Sequence, residues 1–162
     1  MAALQALSLA CVGRLDDALD AARASVELDH NAFTRRWALV WVLSALDRND
    51  EAIAATTDAL AMSGRHPRIL SELAAIHARR GERDVVRGIL AELEDRASKS
   101  FVEHTVLGSV RACLGEMEEA RRLVALGIEQ HEIWWQFAKA PAWAPFRADA
   151  EGKAMLRKQG FA

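Results

Sequence analysis

Gly13-Arg-Leu-Asp-Asp-Ala18 is echoed by Asp47-Arg-Asn-Asp-Glu-Ala52, Gly81-Glu-Arg-Asp-Val-Val86 and Gly115-Glu-Met-Glu-Glu-Ala120, each 34 residues after the one before. A period of that length held through four copies marks stacked repeats, each unit covering its apolar face with its neighbours. Stacks of this kind present extended surfaces in place of closed pockets, which favours binding over catalysis.

Helix-length apolar patterns flank every copy. Around the second, Trp37, Val40, Trp41 and Ser44 share one face while Leu39, Val42, Leu43 and Leu46 crowd the others. A helix apolar on most of its circumference belongs between neighbours. The following segment carries a narrower stripe through Ala52, Ile53, Thr56, Ala59 and Leu60, at three- and four-residue spacing. The other units repeat this plan, with first helices near 2–12, 67–79 and 101–113 and second helices near 16–28, 83–94 and 117–130.

Local chemistry supports those limits. Gly13, Gly81 and Gly115 suit the left-handed residue that closes a helix, and Asp47 tolerates the same conformation. Three residues on, Asp16, Asp50, Asp84 and Glu118 place a carboxylate in the first turn of the next helix, against the positive end of its dipole. Pro67 fits a first helical position. Ser98 and Ser100 offer an N-cap before Phe101.

The 34-residue period, the Gly-x-x-Asp/Glu-x-Ala turns and the small first-helix residues Ala6, Ala74 and Gly108 (Val40 is larger) resemble tetratricopeptide repeats. Small residues recur early in the second helices at Ala18, Ala52 and Ala120, with Val86 larger. The resemblance covers about residues 1–131 and implies an all-α superhelix, a tetratricopeptide-like solenoid of four helix hairpins near 1–32, 33–66, 67–100 and 101–131. It departs from the family where Trp, Leu-Gly and Tyr are usual on first helices, with His77 and His104 among the substitutes. After the first unit Asp29-His30-Asn31 turns the chain where a proline is common.

Residues 132–162 break the period and form a capping tail. Glu132-Ile-Trp-Trp-Gln-Phe-Ala-Lys139 reads as a short helix and Pro141-Ala-Trp-Ala-Pro-Phe146 as an irregular aromatic segment, before a last helix from Asp149 to about Gln159, stopped by Gly160. This run resembles the closing segment of tetratricopeptide regions in bacterial regulators and cyclases. A terminal repeat needs a lid, and Trp143 and Phe146 are apt plugs. At the other end the first helix is nearly all apolar, interrupted by Gln5 and Ser8. An upstream segment, self-association or a tolerated exposed face each accounts for it.

Composition sets bounds. In 162 residues, 51% apolar content supports one domain with a real core. A net charge of −2 without a lysine-rich stripe argues against a nucleic-acid partner. No apolar run reaches membrane-spanning length. Met1–Val12 lacks a basic n-region, so an export signal is not favoured and a cytoplasmic location is expected. Cys11 and Cys113 stand far apart, as isolated thiols.

No phosphate-cradling loop, His-x-x-x-His pair or Gly-x-Ser-x-Gly elbow occurs. The expectation is a protein without enzymatic activity, cofactor or metal. His77 and His104, on neighbouring first helices, are packing residues in one reading and half of a metal or proton site in the other, with no third ligand evident. Trp37 and Trp41 lie one turn apart on one face. The resemblance places that face in a concave groove with Thr34, Arg68, Ser71, Arg79, Thr105 and Ser109, where the pair would anchor a peptide or helix. Internal packing and a dimer contact are the alternatives. A chaperone-tail clamp is disfavoured: the corresponding positions are Ala3, Leu7, Ala38, Arg68 and Glu72, of which Arg68 alone is basic. The sequence therefore points to a protein-interaction module, with a homo-oligomerising scaffold through the first helix as the alternative and a small-molecule or metal-responsive domain as a weaker one.

Overall fold

Leu9, Leu43, His77 and Arg111 begin the same local event in four places. In the computed structural model, which describes residues 2–29, 32–133 and 137–160, each lies near the end of a helix and its carbonyl accepts from the N–H five residues on. These bonds, from Arg14, Arg48, Glu82 and Glu116, measure 3.0, 3.0, 3.0 and 3.1 Å. The residue before each donor is left-handed: Gly13, Asp47, Gly81 and Gly115 have φ of 81, 55, 76 and 79°. Each of them donates its own N–H to the carbonyl three residues back, which completes the double hydrogen bond of a Schellman stop. Arg14, Arg48, Glu82 and Glu116 then share φ between −84 and −78° and ψ between 59 and 67°, and they launch the next helix. One turn geometry thus recurs at the spacing seen in the sequence. The expected acids stand in the first turns that follow.

The protein is all-α, with ten α-helices and no strand among the described residues. They are α1 (Ala2–Cys11), α2 (Leu15–Leu28), α3 (Phe33–Ala45), α4 (Asn49–Ser63), α5 (Pro67–Arg79), α6 (Arg83–Ala97), α7 (His104–Cys113), α8 (Met117–Glu129), α9 (Ala144–Ala148) and α10 (Ala150–Lys158). A 3-10 turn, Pro141–Trp143, precedes α9. No described helix is long and apolar enough to cross a membrane.

The chain divides into two compact units, Met1–Ile76 and His77–Ala162. In the first, α1 packs on α2 and α3 on α4 as sequential hairpins, and α3 also touches α1 and α2. Ala6, Ala18, Val40 and Ala52 are fully buried there. In the second unit, α7 pairs with α8 and contacts α6. A Cβ on Gly108 of α7 would fall 2.9 Å from Val124 Cγ2 and 3.0 Å from the Ala120 carbonyl oxygen, so the two backbones meet where a side chain would hold them apart. Arg83 Nη2 donates to the Leu114 carbonyl at 2.6 Å, joining the start of α6 to the end of α7.

The tail packs onto the last hairpin: α9 and the 3-10 turn lie against α7, and α10 against α8. Trp143 and Phe146 are wholly buried, edge to face with centroids 5.6 Å apart. Asp149 caps α10 by accepting from Gly152 N at 2.8 Å and from Arg121 at 2.9 Å, and these bonds hold its carboxyl below the usual range.

Three local expectations need correction. Ser98 and Ser100 do not start α7: their hydroxyls donate to the carbonyls of Asp95 and Arg96, so they finish α6. The segment 141–146 is more regular than expected, since proline at an N-terminal helical position starts both the 3-10 turn and α9. The short helix read over 132–139 is not α-helical where it is described: Glu132 has no regular secondary structure, Phe137 is 3-10 helical and Lys139 lies in a turn; residues 134–136, and the turn residues His30 and Asn31, lie outside the described residues.

Candidate functional site

Trp37 and Trp41 stack along α3 with ring centroids 5.7 Å apart and a tilt of 35°. Both are buried, at 6% and 3% exposure, so their faces are taken up by neighbouring side chains. Seven of the thirteen residues of α3 are buried, which follows from its nearly continuous apolar surface. Thr34 is exposed on the same helix. On α5, Arg68 is half-buried and Ser71 buried, its hydroxyl donating to the Arg68 carbonyl at 2.8 Å. These five candidate groove residues belong to the first unit.

The other three lie in the second unit. Arg79 is exposed at the end of α5. Ser109 is buried and donates to the Val106 carbonyl at 2.8 Å. Thr105 is buried and donates to Glu132 Oε2 at 2.8 Å. Thr34, Arg68 and Arg79 are thus the candidates with surface facing solvent.

Glu132 was not anticipated as a cap. It is 7% exposed, and its carboxylate also accepts from the backbone N–H groups of His104 and Thr105 at 2.8 and 2.9 Å and contacts His104 Nδ1 at 2.8 Å. Burial alone would raise its pKa; these hydrogen bonds outweigh burial and hold it below the usual value. The acid therefore satisfies the first turn of α7 from 28 residues away. The fit depends on Gly127, where a Cβ would lie 2.3 Å from Thr105 Cγ2 and 2.5 Å from Glu132 Oε2.

His77 and His104 each engage a different carboxylate. His77 Nδ1 contacts Glu82, whose pKa is lowered first by this bond and then by Arg80. No cluster of three or more His, Cys, Asp or Glu side chains shaped for a metal occurs among the described residues. Cys11 and Cys113 are both half-buried.

The fold also creates a feature that the residue pattern did not suggest. At the open end of the α3–α4 hairpin, Phe33, Arg36, Ala59, Met62 and Ser63 line a small, shallow notch. The His66 ring packs against Phe33 at 4.6 Å and steadies one wall. The available signal was a large apolar residue at each end of the hairpin, Phe33 and Met62, beyond the main stripe.

Comparison with protein-family profiles, curated proteins and solved structures finds no match.

Proposed function

We propose that this chain is a tetratricopeptide-like stack of helix hairpins whose work is to hold another protein. The observation that carries the reading is the Schellman turn repeated at Gly13, Asp47, Gly81 and Gly115 with nearly one set of backbone angles. Buried small residues at the crossings add to it, because they let paired helices approach closely. In this reading a partner helix or extended peptide lies against the first helices of the first unit. Thr34 and Arg68 reach it directly. Trp37 and Trp41 act as anchors only where their neighbours move aside, and otherwise brace the helix that presents Thr34. No catalytic step, cofactor or metal enters the proposal.

Peptides selected from a random display library against the immobilised protein test it. Binders should emerge, and Arg68→Glu should weaken them about tenfold. A library without binders, or binders indifferent to that reversal, contradicts the groove.

A second reading rests on α1 and the turn after it, where Leu4 and Val12 are 65% and 72% exposed. There the helix is a self-association face, and mass should rise with concentration in light scattering. Leu4→Lys should abolish that rise; a constant mass contradicts it.

A further inference from the structure

Resting on the self-association reading, we propose that copies of this chain join head to tail, the outer edge of the α1–α2 hairpin in one copy taking α10 of the next. α1 carries no charged side chain, and Leu4, Gln5 and Ser8 are its exposed residues. In the hairpin the start of α1 lies beside the end of α2, which adds the exposed Ala24 and Leu28 at the same end, Leu28 at 73% exposure. Apolar surface gathered in this way marks a place for a partner.

Charge says which partner. α2 borders the edge with Asp16, Asp20 and Glu27, all exposed and none in an ion pair among the described residues. The nearby cations are committed, Arg14 to Asp17 at 2.7 Å and Arg23 to Glu51 at 3.3 Å. α10 supplies the complement. Lys153, Arg157 and Lys158 are exposed and likewise form no ion pair among the described residues, while Glu151, the acid of this helix, is held by Arg121 at 3.1 Å. Because α10 buries Gly152 and Leu156, Ala154 falls at the centre of its outward face, with Ala150 one turn before it. Lys153 and Arg157 flank the alanines on one side and Lys158 on the other. A helix with small side chains between cations lies close on an apolar edge bordered by acids. The contact joins unlike surfaces, so each copy keeps one of them open and assembly continues past two. A helix of nine residues buries well under the ~1,600 Å² of a standard interface, so the contact is weak.

Analytical ultracentrifugation of the full chain from about 10 µM to 1 mM tests this in the range where so small an interface forms. The average mass should rise past that of a dimer at low salt and return to the monomer in about 0.5 M salt. Asp20→Lys/Glu27→Lys and Lys153→Glu/Arg157→Glu should each weaken association about tenfold or more, and an equimolar mixture of the two variants should restore it. Lys99→Glu, at the exposed end of the second unit's α6 segment, should leave the wild-type behaviour unchanged. If circular dichroism shows that a double variant has lost helix, the single reversals Glu27→Lys and Lys153→Glu take its place. A mass that rises but stops at a dimer, or that ignores the reversals on α10, overturns the head-to-tail contact while leaving self-association standing. A monomer at every concentration overturns both, and the edge then belongs to a different protein.

Discussion

Gly127 and Glu132 show how much one position can decide. Glu132 supplies the acceptor that the first turn of α7 lacks, and Gly127 leaves the space for it. Gly127→Ala should lower stability by about 1–3 kcal/mol, because the buried Thr105 must move and its bond to Glu132 strains; an unchanged urea midpoint would show that the contact yields freely. The carboxylate itself predicts a pH dependence. Folding lowers its pKa, so its contribution is complete above the unfolded value, near 4.5, and fades as pH falls through the lower folded one. Between pH 6 and 3 the melting temperature of the wild type should therefore fall more steeply than that of Glu132→Gln. Parallel curves would remove the ionised cap from the account. Neither partner stood out in the sequence. The contact joins residues 28 positions apart, and no local pattern announces a cap delivered from that distance.

At the level of helices and turns, backbone conformation sorts the glycines. Gly115 closes α7 at a φ of 79°, whereas Gly88 sits inside α6 with open space where a Cβ would stand. Gly115→Ala should cost about 1–2 kcal/mol, since a Cβ disfavours the left-handed region. Gly88→Ala should stabilise by about 0.5–1 kcal/mol through helix propensity alone. Chemical denaturation of the pair checks both signs at once. Gly108→Leu, at the crossing with α8, should cost more than about 3 kcal/mol or unfold the chain, because the Ala120 carbonyl cannot step away as a side chain could. The turns were legible because their demand is local: a left-handed residue, then an acid three positions on. The facing of Trp37 and Trp41 was not, because α3 is apolar nearly all round and periodicity cannot separate groove from interior. Ser98 and Ser100 misled for a related reason. A serine near a helix end serves the helix behind it as readily as the one ahead.

Across the whole molecule, the account depends on whether one repeated turn means one repeated displacement. The two units each contain sequential hairpins, and the tail of the second lies over α7 and α8 with Trp143 and Phe146 inside. If the displacement repeats, equivalent points one repeat apart are separated by the same distance in both units. Asp16, Asp50, Asp84 and Glu118 are equivalent, exposed and suited to spin labels. Pulsed electron-spin distance measurements on pairs of these positions test the stack directly. The account predicts that the 16–50 distance in the first unit and the 84–118 distance in the second agree, each roughly 10–20 Å, as helix pairs laid side by side require. Clearly different 16–50 and 84–118 distances would contradict it.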